Sequence, residues 1–280
     1  MNAWLLAARP KTLSAAVVPV LIGATLAYPS MIWWVFACAL FGAVFIQIAT
    51  NFINDALDFK KGADTSERLG PLRVTQAGLL SADTVMRGAY VCLVLAAACG
   101  VPLILRGGWP MLAIGLTSMI AAYLYTGGPY PLAYHGLGEL FVLIFFGFVA
   151  VGGTFYVLTL HLIRDALIAG FAAGSLAIVL LAINNLRDVE TDTRSAKKTL
   201  AVRFGLRFAR IEIAFCALAP FVAAVMLGYL WTLLALPLAL LVMQRVFTST
   251  GAALNRSLAI AGALQWAFGI LWVCGFIATR

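Results

Sequence analysis

The sequence predicts an all-α integral membrane protein, and its composition and its apolar pattern both support that prediction. Hydrophobic residues make up 63% of the 280 residues and charged residues only 11%, whereas a soluble domain carries about 25% charged residues. Long apolar runs alternate with short polar stretches, and each run approaches the roughly 20 residues that a helix needs to cross a bilayer. A helix also satisfies its own backbone hydrogen bonds, as the bilayer interior requires. We therefore expect a bundle of membrane-spanning helices.

Nine apolar segments are predicted to span the membrane, and we expect residues 1–280 to form one transmembrane domain. The segments are 13–28, 31–53, 87–105, 109–126, 137–159, 164–184, 210–228, 229–247 and 256–278. Two connections between them are long, at 54–86 and 185–209. An odd number of spans puts the two termini on opposite sides of the membrane.

The basic residues predict the orientation of these spans. All but three of the 19 Lys and Arg residues fall on one side; the exceptions are Arg106, Arg164 and Arg280. Because cytoplasmic loops are enriched in Lys and Arg, the N-terminus and both long connections are predicted to be cytoplasmic and the C-terminus outside. This bias also accounts for the net charge of +8, so we expect no nucleic-acid partner.

Acidic residues gather at the cytoplasmic ends of the second and sixth spans. Asn54 and Asp58 are four residues apart, and Asn184, Asp188 and Asp192 follow one another at the same spacing. Residues four apart share a helix face, so each row presents its oxygen atoms together if the helix continues. Oxygen ligands without His or Cys favour Mg²⁺, which is usually shared between one or two carboxylates and substrate phosphates. The rows therefore predict a metal–diphosphate site facing the cytoplasm.

A simpler interpretation is that these acids solvate helix ends and pair with the neighbouring Lys and Arg residues. That interpretation holds for most single loop acids. Two matching Asn-x3-Asp rows at one membrane face favour a functional site, because ionisable clusters at the membrane usually mark function. Carboxylates at this spacing also repel each other by roughly 1 to 3 kcal/mol, which a bound cation would offset.

Five stretches of the chain resemble the UbiA-type superfamily of intramembrane prenyltransferases, in the family's order. They are 8–13, 54–64, 68–73, 125–139 and 184–200. Within the superfamily the chain is most similar to the MenA-type branch, which prenylates 1,4-dihydroxy-2-naphthoate for menaquinone synthesis. The resemblance implies about nine helices around a central cavity in a bacterial inner membrane, with a lateral opening to the lipid bilayer for the donor's tail.

The same resemblance implies a role for each motif residue. The metal ligands for Mg²⁺ would be Asn54, Asp55, Asp58, Asp188 and Asp192, with Asp64 near the last motif position, which falls on Gly62. The cations that bind the diphosphate of a polyprenyl donor would be Lys61, Arg68, Arg73 and Lys198. Of these residues, Asp58, Asp188, Asp192 and Lys61 are expected to be catalytic. The implied reaction is Mg²⁺-dependent transfer of the polyprenyl group to the aromatic acceptor with loss of its carboxylate, which gives demethylmenaquinone.

The acceptor is predicted from what one loop lacks. In the hydroxybenzoate and haem branches this loop resembles Tyr followed by a Lys-Arg pair, whereas residues 126–138 contain neither Lys nor Arg. The acceptor's carboxylate would then meet Arg9 or Lys11, with Tyr125 at the start of the Gly-rich loop. An apolar, Gly-rich loop also suits a bicyclic acceptor better than a single ring flanked by charges.

Other functions stay open from sequence alone. A membrane transporter is the alternative from another class, because carriers also have polar breaks in apolar helices, although their binding sites lie near the midplane and not at one face. Among enzymes, the alternatives are other acceptors, such as hydroxybenzoate, homogentisate, haem or a futalosine derivative, and a lipid phosphotransferase.

Overall fold

The computed structural model describes residues 2–62 and 69–279, and these residues form helices without any β-strand. The helices, in chain order, are α1 (Ala3–Ala8), α2 (Ser14–Leu26), α3 (Trp33–Lys60), α4 (Ala82–Gly107), α5 (Trp109–Leu124), α6 (Gly138–Thr159), α7 (Arg164–Arg187), α8 (Val189–Arg194), α9 (Leu200–Met226), α10 (Leu236–Thr248) and α11 (Leu254–Ala278). The all-α membrane fold predicted from the sequence is confirmed.

The predicted count of nine spans is not confirmed. Each predicted segment contains a helix, but among the described residues seven helices are long and apolar enough to cross a membrane. An eighth span results if the helical segments Ala3–Thr12 and Ser14–Leu26, bent by 48° at their junction, count as one. The remaining segment, α5, has only 16 residues, or roughly 24 Å at 1.5 Å per residue, which is short of the roughly 30 Å hydrocarbon layer.

A break in the chain at Arg9 brings the N-terminal segment back over the bundle. Arg9 caps α1 in the left-handed conformation, with φ of 51°, and Pro10 follows it. Asn51 of α3 holds this break, since its Nδ2 donates to Ala8 O at 2.9 Å and to Thr12 Oγ1 at 3.0 Å. The break is therefore tied to α3 one turn before Asn54.

Small residues bring α6 and α7 into close contact at the centre of the bundle. A Cβ atom added to Gly147 would lie 2.5 Å from Gly170 O and 3.1 Å from Gly174 Cα, so no larger residue fits there without moving a backbone. This close approach explains why α7 has glycine at both 170 and 174. Helix α7 is the most buried of the candidate spans. The fixed position of α7 determines where its cytoplasmic end lies.

The two Asp-rich segments end their helices differently. Helix α3 runs past the predicted boundary at residue 53 to Lys60, so Asn54 and Asp58 remain on one helix. Helix α7 ends at Arg187, and Asp188 forms the junction with the short helix α8, which carries Asp192.

Candidate active site

A cavity of about 1210 Å³ lies between the helices, and both Asp-rich helix ends line it. Its polar end includes Asn54 and Asp58 from α3 and Asp188 and Asp192 from the junction of α7 and α8. From there it follows the apolar sides of α4 and α5, where lining residues occur as far as the opposite ends of both helices. The cavity thus combines a charged head with a long apolar channel.

Asp58 makes two contacts at the head of the cavity. Its Oδ2 accepts from Arg73 Nη2 at 3.1 Å, and its Oδ1 accepts from Tyr134 Oη at 3.3 Å. Arg73 comes from the connection that follows α3, and its side chain is almost fully buried. One turn earlier, Asn54 Oδ1 accepts a hydrogen bond from Thr126 Oγ1. The loop after α5 therefore closes over the first Asp row.

Asp55 has a different environment from the other predicted metal ligands. Its buried carboxylate accepts from Val74 N at 3.2 Å and Thr75 N at 3.1 Å, and Thr75 Oγ1 also donates to it. These bonds fix the connection that carries Arg73. Asp55 is not among the residues that line the cavity, so we leave it out of the ligand set proposed below.

The second Asp row also contains one paired and one incompletely paired carboxylate. Arg187 binds Asp188 through both carboxylate oxygens at 2.7 Å, and its third nitrogen donates to Asn255 Oδ1 at 2.8 Å. Asp192 is buried; its Oδ1 lies 3.5 Å from Lys197 Nζ, and its Oδ2 has no hydrogen-bond partner among the described residues. Burial raises the pKa of the Asp192 carboxyl to about 6, opposed by Lys197 and reinforced by Asp188 and Asp58.

These residues fit a Mg²⁺ ion that binds together with a phosphate. Within residues 2–62 and 69–279, no three His, Cys, Asp or Glu side chains converge into a preformed metal site. Mg²⁺ does not need one, because it usually takes one or two carboxylates and completes its shell with waters and substrate phosphates. Asn54, Asp58 and Asp192 offer only oxygen ligands, and the buried Asp192 Oδ2 has no hydrogen-bond partner in the part of the chain that the structure describes.

Two lysines converge on the ring of Tyr134 beside these carboxylates. Lys61 Nζ lies 4.9 Å and Lys197 Nζ 5.9 Å from the ring centroid. Lys61 also donates to Thr126 O, and burial lowers the pKa of its ammonium while Asp58 opposes that shift. Cations from both motif ends therefore flank one aromatic ring; Lys197 lines the cavity, whereas Lys61 is exposed and is not among the lining residues.

The residues predicted to bind the acceptor also belong to this cavity. Arg9, Lys11 and Tyr125 all line it, with Arg9 partly buried and Lys11 exposed. Two other predicted site residues, Asp64 and Arg68, lie outside the described residues. Acids, cations and the break at Arg9 thus face one common space.

Residues 16–269 match the profile of the UbiA prenyltransferase family. The chain belongs to this family. The match covers nearly the whole chain, including both Asp rows, so the protein is a prenyltransferase by family and the apolar helices make it a multi-pass membrane protein.

Three bacterial relatives of this UbiA-family chain carry the same name. The chain is similar to the 1,4-dihydroxy-2-naphthoate octaprenyltransferases of Mycobacterium leprae (35% identity, covering 96% of this chain and 98% of the relative) and Haemophilus influenzae (35%, covering 85% and 83%). The enzyme of the same name from Escherichia coli is 38% identical, over 73% of this chain and 69% of the relative.

Solved UbiA-family structures share the fold. A UbiA homologue from Archaeoglobus fulgidus bound to DMAPP and Mg²⁺ superimposes with a TM-score of 0.64 at 15% identity, over 98% of this chain and 99% of that chain. The same homologue bound to GPP and Mg²⁺ gives 0.65. At this identity the similarity establishes the helical arrangement alone.

The structure places four further residues at the candidate site that the sequence analysis did not select. Lys197, Tyr134, Thr126 and Arg187 all line the cavity or contact its acids. Lys198, which was predicted to bind diphosphate, is exposed, and its backbone N donates to Tyr134 O at 3.0 Å. Spacing alone cannot choose between adjacent lysines. A bond from Lys197 N to Asp192 O at 2.8 Å closes the turn that brings Lys197 beside the second Asp row, and the role predicted for Lys198 stays a prediction.

Proposed function

We propose that this protein transfers a polyprenyl group from a polyprenyl diphosphate to 1,4-dihydroxy-2-naphthoate, with loss of the acceptor's carboxylate as CO₂, and so produces the quinol form of demethylmenaquinone; oxidation to the quinone is a separate later step. One observation carries the proposal: the cavity joins an acidic and cationic head to a long apolar channel within a single space. The head suits a metal-bound diphosphate and the channel suits its hydrocarbon tail. The names of the naphthoate octaprenyltransferase relatives support this choice of acceptor.

The cofactor in this proposal is Mg²⁺, held by Asp58 and Asp192 with Asn54 at the edge of the set. Asp188 would join them after exchanging one of its two bonds to Arg187 for the metal. Bound Mg²⁺ would neutralise charge on the diphosphate and make it a better leaving group. Asp64 stays a candidate ligand from the sequence alone.

The protein's own cations would bind and stabilise the departing diphosphate. Lys197 and Lys61 are held at the ring of Tyr134 and Arg73 lies beside Asp58, so all three surround the acidic head. As the bond between the allylic carbon and the diphosphate oxygen breaks, negative charge grows on that oxygen, and these cations stabilise it. Arg68 would add to them in the connection after α3.

The allylic carbon would then bond to the ring carbon that carries the acceptor's carboxylate. The carbon–carbon bond to that carboxylate breaks, CO₂ leaves, and the bonding electron pair restores the aromatic ring. Arg9 or Lys11 would orient the carboxylate before this step, because loop 126–138 contains neither Lys nor Arg and both residues line the cavity. Tyr125 would form part of the wall against the bicyclic ring.

We also propose that the protein lies in a bacterial inner membrane with its N-terminus and active site cytoplasmic and its C-terminus outside. The excess of Lys and Arg in alternate connections supports this orientation. Both proposed substrates would then reach the site from the cytoplasmic side or laterally from the bilayer.

An acceptor comparison tests the proposed function. Membranes containing the protein are given labelled octaprenyl diphosphate, Mg²⁺ and either 1,4-dihydroxy-2-naphthoate or 4-hydroxybenzoate. We expect prenylation and CO₂ release with the naphthoate only. In Arg9→Ala we expect the KM for the acceptor to rise more than the KM for the donor. Equal turnover of 4-hydroxybenzoate would contradict the acceptor assignment, and no transfer to any acceptor would contradict the reaction itself.

A further inference from the structure

Tyr134 contacts both Asp-rich helix ends at once. Its hydroxyl donates to Asp58 Oδ1 at 3.3 Å, and its ring lies under Lys61 Nζ at 4.9 Å, both from the end of α3. The same ring lies under Lys197 Nζ at 5.9 Å, from the loop after α8. Its backbone oxygen accepts from Lys198 N at 3.0 Å in that loop. Tyr134 lies in the stretch 125–139 of the family resemblance, but the sequence analysis predicted no role for it.

The ring of Tyr134 can hold two lysines without neutralising their positive charge, as a carboxylate would. An aromatic face attracts an ammonium group through its quadrupole and leaves the positive charge in place. Lys61 has a neutral carbonyl as its hydrogen-bond partner. Lys197 Nζ lies 3.5 Å from Asp192 Oδ1, which is longer than the roughly 2.7–2.9 Å of a close charge-assisted hydrogen bond. Both ammonium groups therefore keep charge with which to bind an anion.

Two ammonium groups near one ring give a polyanion two cations to pair with, one from each motif end. The cavity with its carboxylates opens next to Tyr134. The hydrogen bond from the Tyr134 hydroxyl to Asp58 orients one carboxylate toward the same space. The arrangement therefore places positive charge from both motif ends beside the carboxylates of the proposed metal–diphosphate site.

We propose that Tyr134 is a positioning residue that holds the two motif ends in a fixed relative position. Its ring positions Lys61 and Lys197 for the diphosphate, and its hydroxyl orients Asp58 for the metal. This inference rests on the proposed function and deepens it. The two parts of one side chain thus serve two different ligands.

Direct binding of pyrophosphate with Mg²⁺ to the purified full chain tests this inference without turnover. Tyr134→Leu removes ring and hydroxyl, and we expect pyrophosphate affinity to fall about tenfold, as the loss of two cation–π contacts implies. Tyr134→Phe keeps the ring, so pyrophosphate affinity at saturating Mg²⁺ should stay within about threefold. Its Mg²⁺ requirement should instead rise at least about threefold, because a hydrogen bond to a charged ligand is lost.

Tyr130→Leu is the matched control. Tyr130 belongs to the same loop, is exposed, and stacks on His135 with ring centroids 3.5 Å apart. We expect it to leave pyrophosphate affinity and Mg²⁺ requirement unchanged. The backbone bond from Lys198 N to Tyr134 O does not depend on the side chain, so the loop keeps its docking in both Tyr134 variants.

A double-variant comparison separates positioning from general packing. Lys197→Met should weaken pyrophosphate binding clearly in the wild-type background and much less in Tyr134→Leu, because a lysine that has lost its support contributes little. Equal losses of pyrophosphate affinity in both backgrounds would overturn the role of Tyr134, and so would a Tyr134→Leu affinity equal to that of the wild type. Either result would leave the proposed diphosphate site in place. Failure of the wild-type protein to bind pyrophosphate with Mg²⁺ would overturn the proposed diphosphate site and this inference together.

Discussion

Arg73 and Asp58 form a shielded ion pair at the head of the cavity, with Arg73 Nη2 3.1 Å from Asp58 Oδ2 and the side chains 7% and 14% exposed. In α4, by contrast, Asp83 pairs with Lys60 at 2.7 Å while its side chain is 75% exposed. An exposed pair contributes little, whereas losing one partner of a buried pair leaves an uncompensated charge. The chain thus offers two acid–cation pairs near the end of α3 that differ mainly in shielding and in access to the cavity.

Asp58→Asn should reduce prenyl transfer at least about 100-fold, or roughly 2.7 kcal/mol of barrier. The amide keeps an oxygen for Tyr134 but loses the charge that a metal and Arg73 require. The prenyl-transfer rate of the matched variant Asp83→Asn should stay within about twofold of wild type, because the ion pair of Asp83 with Lys60 is exposed. Initial rates and the amount of protein in the membrane are measured together. More than a tenth of wild-type activity in Asp58→Asn would make this carboxylate structural.

Lys197→Met and Lys198→Met form an adjacent pair that tests the geometry against the sequence prediction. Lys197 faces the cavity and Lys198 is exposed. We expect Lys197→Met to raise the donor KM about tenfold or more, as the loss of a charge-assisted phosphate contact implies. Lys198→Met should leave the donor KM within about twofold of the wild-type value, because an exposed cation contributes little. The opposite ranking would favour the assignment made from sequence alone.

Asp55→Asn should lower thermal stability and leave the Mg²⁺ dependence unchanged. The carboxylate accepts two backbone N–H groups in a buried site, and hydrogen bonds to a charged group contribute about 1.5–3 kcal/mol each. We expect a loss of about 1–3 kcal/mol, because the amide oxygen still satisfies part of this set. A thermal unfolding curve and a Mg²⁺ titration of activity are compared. Normal stability with a raised Mg²⁺ requirement would return Asp55 to the metal site.

The sequence was sufficient for features that depend on local pattern. Apolar length predicted the helices, and the four-residue spacing of Asn54 and Asp58 placed both on one helix face because α3 continues to Lys60. The family resemblance rested on the same residues. These features follow from hydrophobicity and helix periodicity, which act over short stretches of chain.

Other features depend on contacts between distant segments and could not be predicted. Asp55 turns away from Asp58 because the backbone at Val74 and Thr75 folds over it. Tyr134 joins the site only through contacts with Asp58 and Lys197, which lie 76 and 63 positions away in the sequence. The count of nine spans stays unconfirmed for a local reason, since the first segment is bent and α5 is short.

The position of the C-terminus tests the orientation and the number of crossings. A reporter that is active only outside the cytoplasm, fused after Arg280, should be active, because an odd number of crossings follows if α5 spans a locally thinned bilayer. The same reporter inserted after Gly78, in the connection predicted to be cytoplasmic, should be inactive. Activity at neither position would indicate an even number of crossings and make α5 or the bent first segment non-spanning.

The central claim is that both Asp rows form one Mg²⁺–diphosphate site for prenyl transfer. The most direct measurement is the rate of labelled octaprenyl transfer to 1,4-dihydroxy-2-naphthoate against Mg²⁺ concentration, for the wild type, Asp58→Asn, Asp192→Asn and the double variant. We expect no transfer after EDTA treatment, recovery with Mg²⁺, a severe loss in each single variant, and no further loss in the double variant, because groups that act as a unit are not additive. Transfer that survives EDTA treatment, or wild-type rates in either single variant, would contradict the account.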